Sequence, residues 1–267
     1  MNFQVHFREK LYFWIMAFLS LLFYIILGCV AIMHIKFAMT ACMWLALLIV
    51  FTTLGAITLL GDVQGNTVRV HEKQFPELFE ILQNQSKILG LKNTPQMYIM
   101  HNGGFLNAFA TKLFRRNYIV LYSEVLEAAY QEGMPVVEFI IGHELGHIKR
   151  KHVGGLKSLF ITPAKLMPLL GNAYFRACEY TCDHIGYNLC PEGAQKGLLI
   201  LATGKNLYKK IQVDELLADF DGNKGLVTWI AEIFATHPPL IKRIAKLRKP
   251  KYAYNMQTIL TPTLENI

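Results

Sequence analysis

The sequence predicts an α+β protein: an N-terminal transmembrane hairpin of two helices, then a mostly helical domain carrying a small β-sheet. Three observations predict it. Residues 11–33 and 37–60 contain no charged side chain. All 27 lysines and arginines and all 19 aspartates and glutamates lie outside those two runs, so the remainder carries the charge of an ordinary water-facing domain. That remainder alternates between stretches of helical spacing and short β-rich stretches. The boundaries follow: 1–62 for the hairpin, 63–255 for one domain, 256–267 for an extended tail.

Each apolar run exceeds the roughly 20 residues that cross about 30 Å of hydrocarbon as a helix, whereas a buried core helix usually has only about 10–14 apolar residues. A secretory leader would need an apolar stretch of about 7–15 residues and a cleavage site, and the first run is too long. Only His34, Ile35 and Lys36 separate the runs, which makes a tight hairpin with both flanks in one compartment. Arg8, Lys10, Arg69 and Lys73 flank it against Lys36 alone in the turn, so the positive charge places the N-terminus and the body on the cytoplasmic side. Tyr12, Phe13 and Trp14 suit the headgroup boundary there. A transporter or channel component would carry ionisable residues inside the spans, and there are none.

Composition excludes a disordered chain, since 53% of residues are hydrophobic, and five cysteines make no disulfide scaffold. Cys29 and Cys42 fall in the spans; Cys178, Cys182 and Cys190 fall in the body and are expected reduced. The formal net charge is +8, yet no nucleic-acid module is present, so nucleic acid is not an expected partner. Basic residues cluster at Lys149–Arg150–Lys151 and in 242–251, which suits either contact with anionic lipid or a solvated basic face.

In the body, residues 76–89 have the apolar spacing of an amphipathic helix. Residues 97–101, 107–111 and 117–122 read as short strands, the last two joined by a polar turn at Arg115–Arg116–Asn117. Ser123 is expected to cap a helix through Glu132 that Gly133 ends, and Pro135 to open the next.

That next helix carries chemistry. His143 and His147 stand four apart, one turn apart on one face, where two imidazoles can hold a single zinc ion. Glu144 then lies beside the metal without being a ligand, the position of a general base for a zinc-activated water. This is the HExxH pattern of zinc proteases. A catalytic zinc needs a third protein ligand and an open position. Glu179 and Asp183, also four apart, supply candidates: Glu179 as third ligand, and Asp183 to accept a hydrogen bond from the far nitrogen of a ligand histidine. Cys178, Cys182 and His184 are competing donors, read here as packing residues because a cysteine ligand suits a structural zinc.

With these residues in hand, the chain resembles the membrane metalloproteases that include bacterial HtpX and the CAAX prenyl endopeptidases. The resemblance rests on the apolar hairpin, Asn107–Ala108–Phe109–Ala110–Thr111, His143-Glu144-x-x-His147, Arg176-x-x-Glu179-Tyr180-x-x-Asp183, and Thr236–His237–Pro238–Pro239 followed by Arg243. It implies a gluzincin-type zincin domain with one Zn2+ per chain, Glu179 as third ligand, and a cytoplasm-facing site in a bacterial inner membrane. The substrate would be membrane or misfolded protein, and the lipid bilayer the other partner. Such chains carry a second membrane hairpin between the two ligand helices; here residues 153–172 are broken by Lys157, Pro163, Lys165 and Pro168 and read as an interfacial or lid-like segment.

Asn107 to Thr111 is the candidate edge strand for an extended peptide. His237 is either a donor to the oxyanion or a structural residue, Thr236 then capping a helix opened by Pro238 or Pro239. The rival reading of the whole chain is a zinc-binding membrane scaffold or sensor without catalysis, which the presence of Glu144 disfavours.

Overall fold

A computed structural model describes residues 3–101, 108–204, 206–222 and 225–248. The tail expected over 256–267 and Asn107 lie outside the described residues.

Helices α1 (Phe7–Met33) and α2 (Ile35–Gly65) form the hairpin, turning at His34. Both are long and apolar enough to cross a membrane, and most of their large side chains are exposed. Their burial differs. Helix α1 buries Glu9, Met16, Ala17 and Ser20, a stripe at helical spacing, whereas α2 buries only Val63.

The sheet has four strands: β1 (Thr67–Val70), β2 (Gln96–Met100), β3 (Ala108–Leu113) and β4 (Arg116–Tyr122), in the order β1-β2-β4-β3. β1 runs antiparallel to β2 with Val68 opposite Ile99; β2 runs parallel to β4 with Tyr98 opposite Val120; β3 runs antiparallel to β4 with Ala110 opposite Ile119. Phe114 and Arg115, both at positive φ, make the two-residue β3–β4 turn, one residue earlier than the polar triplet suggested. β1 has no counterpart in the sequence reading. Helix α3 (Pro76–Ile88) covers the sheet with Leu78 and Leu82.

Helix α4 (Ser123–Glu132) ends at Gly133 as expected, but Ser123 is its first residue and not its cap: the Ser123 hydroxyl is turned to Glu124 and His101. Helices α5 (Met134–Arg150) and α8 (Pro168–Leu189) then cross in the core, with α9 (Pro191–Thr203) against α5. Their approach depends on glycine. A Cβ on Gly142 would stand 3.2 Å from the Gly186 Cα, and one on Gly146 would stand 3.2 Å from the Cys182 Sγ. Phe139, Ile141, Leu145, Ile185 and Leu198 fill the space around that crossing.

Between these helices, α6 (Gly155–Phe160) and α7 (Thr162–Lys165) occupy the stretch expected to be interfacial or lid-like. They lie along α1. The Ala164 N–H donates to Ser20 Oγ at 3.3 Å, and the Tyr24 hydroxyl donates to the Leu159 carbonyl at 3.4 Å. Of this stretch Val153 lines the cleft described below, while α6 and α7 do not. After a 3-10 turn come α10 (Val213–Gly222), α11 (Leu226–Phe234) and α12 (Leu240–Leu247).

Candidate active site

The crossing of α5 and α8 brings the predicted metal ligands together. His143 Nε2 and His147 Nε2 lie 3.2 Å apart. Glu179 places Oε2 3.5 Å from His143 Nε2 and Oε1 3.3 Å from His147 Nε2. Ligands at about 2.0–2.1 Å from a metal at tetrahedral angles stand roughly 3.3–3.4 Å from one another, so this donor set fits a tetrahedral ion with one position left over. Glu144, one residue on from the first histidine, is buried and lines the same cleft.

The far side of each histidine ring is also held. His143 Nδ1 lies 3.1 Å from Asp183 Oδ1. Arg243 of α12 clamps that aspartate, donating Nε to Oδ2 at 2.8 Å and Nη2 to Oδ1 at 2.5 Å, while its Nη1 lies 3.3 Å from Glu179. All three side chains are buried. The ring of His147 backs instead onto His152, Nδ1 to Nδ1 at 3.2 Å. Lys151, in the left-handed conformation, ends α5 and turns the chain so that the His152 N–H donates to the His147 carbonyl at 2.9 Å. His152 Nε2 in turn lies 3.2 Å from Glu9 Oε1, which also accepts from Arg150 Nε and Nη2 at 3.1 and 2.8 Å.

The electrostatics follow from burial and partners. Burial raises the Asp183 carboxyl, but Arg243 and His143 outweigh it and leave it below the ordinary range. Burial likewise opposes ionisation of Glu179, and His143, His147 and Arg243 pull it well below that range. Burial disfavours a charged His143, yet Asp183 and Glu179 overcome this and raise it to about 10.

Two further donor groups occur among the described residues, His147–His152–Cys182 and Glu9–His152–Cys178. Burial pushes both thiols well above their usual range, and Arg150 already pairs with Glu9. Among the described residues, only the His143–His147–Glu179 group has all of its members on the lining of the cleft.

That cleft holds about 420 Å³ and is walled by α5 and α8, by Ala108, Phe109 and Ala110 of β3, and by Thr236 and His237. Thr111 continues β3 outside the lining. His237 is exposed, with Nε2 3.7 Å from Glu179 Oε1. The Thr236 hydroxyl is turned to His237 Nδ1, and α12 starts only at Leu240 without a side-chain cap, so Thr236 does not cap it. Arg176 fixes this corner by donating Nη1 to the carbonyls of Ile233 and Ala235 at the end of α11. His184 stands away from the cleft.

A family model described as peptidase family M48 matches residues 72–162 and 154–251, which together cover most of the chain. The chain belongs to peptidase family M48. This is a family of metallopeptidases, and the matched residues contain every member of the His143–His147–Glu179 group. Among solved structures, the M48 chain is similar to a crystal structure of S. mikatae Ste24p, at 14% identity and a TM-score of 0.49. The similarity covers 88% of this chain and 66% of that one, so the chain spans less than two thirds of its length. No curated protein matches the chain.

Three elements of this M48 site escaped sequence reasoning: the two glycines that admit α8, the clamp of Arg243 on Asp183, and the His152–Glu9 contact. Arg243 stood at the end of the fourth motif and carried a signal, while Glu9, between Arg8 and Lys10 at the edge of the first span, carried none.

Proposed function

We propose that this chain is a membrane-anchored zinc endopeptidase that cleaves extended polypeptide. The observation that carries the reading is the convergence of His143, His147 and Glu179 beside Glu144 on a cleft edged by β3. Two imidazoles and a carboxylate suit zinc. When bound, zinc would polarise the scissile carbonyl and acidify the attacking water. Among the described residues β3 pairs in the sheet with β4 alone, and an extended peptide added along its outer side would be held by backbone hydrogen bonds with little regard to side chains. Glu144 takes the proton from the attacking water and delivers it to the leaving amine, a role worth roughly 10²–10⁴-fold. His237, held at the rim by the anchored end of α11, offers a donor to the carbonyl oxygen as it gains charge.

The hairpin inserts with the N-terminus and the cleft on the cytoplasmic side, as Arg8, Lys10, Arg69 and Lys73 require against Lys36. Membrane or misfolded proteins exposing an unstructured segment near the bilayer are the substrate class.

Glu144→Gln decides between catalysis and a scaffold. It should retain zinc by elemental analysis while cleavage of a casein-like substrate in detergent falls by orders of magnitude, and His147→Ala and Glu179→Ala should lose the metal. Wild-type cleavage by Glu144→Gln, or a zinc-loaded wild type that cleaves nothing, would overturn the reading.

A further inference from the structure

The two metal-facing histidines are braced from different parts of the molecule. His143 leans on Asp183 and Arg243, both from the body. His147 leans on His152, and His152 on Glu9, which belongs to the first apolar helix and is only 1% exposed. We propose that Glu9 is a positioning residue for His147, acting through His152, so that the metal affinity of the centre depends on the seating of the first apolar helix. The inference rests on the zinc-peptidase reading above and adds a means of control to it.

Hydrogen-bond direction supports the chain of contacts. With a metal held on Nε2, which faces the Glu179 side of the group, a neutral His147 ring would carry its proton on Nδ1. That N–H faces His152 Nδ1, which can accept it only if the His152 proton sits on Nε2. His152 Nε2 faces the Glu9 carboxylate, an acceptor with no proton to offer. With a metal on His147 Nε2, one arrangement of protons lets each of these contacts pair a donor with an acceptor, and it would set the tautomer and tilt of the ligand. Partners of this kind on ligand histidines orient the ring and raise its basicity. Cys182 Sγ, 3.6 Å from His152 Nδ1, packs against the same ring.

Glu9 is itself held by the body. Arg150, three residues beyond His147, makes two contacts to it, and one turn earlier the His6 N–H donates to Thr181 Oγ1 of α8 at 3.1 Å. A tilt of α1 would draw Glu9 off His152 before it disturbed any ligand directly.

The test uses the full chain in nanodiscs, stripped of metal and titrated with Zn2+ against a chelator. Glu9→Gln, which keeps the shape and loses the charge, and His152→Ala should each weaken zinc binding by about tenfold to hundredfold. Both should shift the visible spectrum of the cobalt-loaded protein. Leu78→Ala, which opens a cavity between α3 and the sheet away from α1, should lower the melting temperature and leave zinc affinity and the cobalt spectrum unchanged. The proposal fails if Glu9→Gln and His152→Ala bind zinc as wild type does with an unchanged spectrum, or if Leu78→Ala alters both to the same degree. A wild type that binds no zinc, or a His147→Ala that still binds it, overturns the zinc centre instead.

Discussion

The two apolar helices are alike in length and apolarity and unlike in their packing. Helix α1 enters the body: Met16 and Ala17 pack with Ile161, Ala164, Tyr174 and Cys178, and Glu9 stands two contacts from a metal-facing histidine. Helix α2 touches little but the start of the sheet, with Val63 its only buried residue. Length and apolarity show that a helix can cross a membrane; they do not say whether it is an anchor or a wall of the catalytic body. What separates the two is the polar content of one face, because Glu9 and Ser20 would be costly there without partners.

The largest expected effect is set by the body's own brace. Arg243→Met leaves Asp183 and Glu179 buried without their cation and should cost about 3–5 kcal/mol, read as a fall in thermal stability. The same cluster sets the acid limit. Both carboxyls lie below their ordinary range in the folded protein, so they stabilise it above about pH 4 and lose that contribution as pH falls through their lowered values. Acid should release the body, seen by near-ultraviolet dichroism, while the helices of the hairpin persist in the far ultraviolet. Loss of both signals together would break the comparison.

A middle-sized effect separates the helices directly. Ala17→Phe overpacks the α1–α8 seam and should destabilise by about 1–3 kcal/mol, whereas Ala46→Phe on the exposed face of α2 should stay within about 0.5 kcal/mol. Equal melting temperatures in matched nanodiscs would show the two helices to be equivalent. The smallest effect concerns hydroxyls. Ser20→Ala removes the acceptor of the Ala164 N–H and should cost about 0.5–1.5 kcal/mol. Thr52→Ala removes only a bond back to the Leu48 carbonyl of its own helix and should be silent in the same melt.

How far the sequence reaches follows from the range of each interaction. The hairpin, α3, the three later strands and the HExxH helix are legible because each is a local pattern of spacing or charge. Glu179 was legible because the chemistry of a catalytic zinc demands a third ligand and only one helix nearby offers a carboxylate at the right spacing. β1 was hidden by its four residues, too few to show alternation, and the Ser123 cap failed because the strand before it runs straight into the helix. Glu9 was hidden for a different cause: His152 lies 143 positions further along, and nothing local to a membrane flank says that its carboxylate faces inward. The glycines at 142 and 146 read as tolerated helix residues, and only the presence of α8 shows why a side chain is excluded.

The clamp of Arg243 on Asp183 spans 60 residues, and α12 is the last helix among the described residues. During synthesis at about 5–20 residues per second, a nascent chain would carry both histidines and both acids for roughly 3–12 s before the guanidinium that steadies them has been made. The His143–His147–Glu179 group is therefore among the last parts of the body to be completed, after the hairpin has had time to reach the bilayer, and a chain stalled between the two helices would display these side chains without the brace that holds them in register.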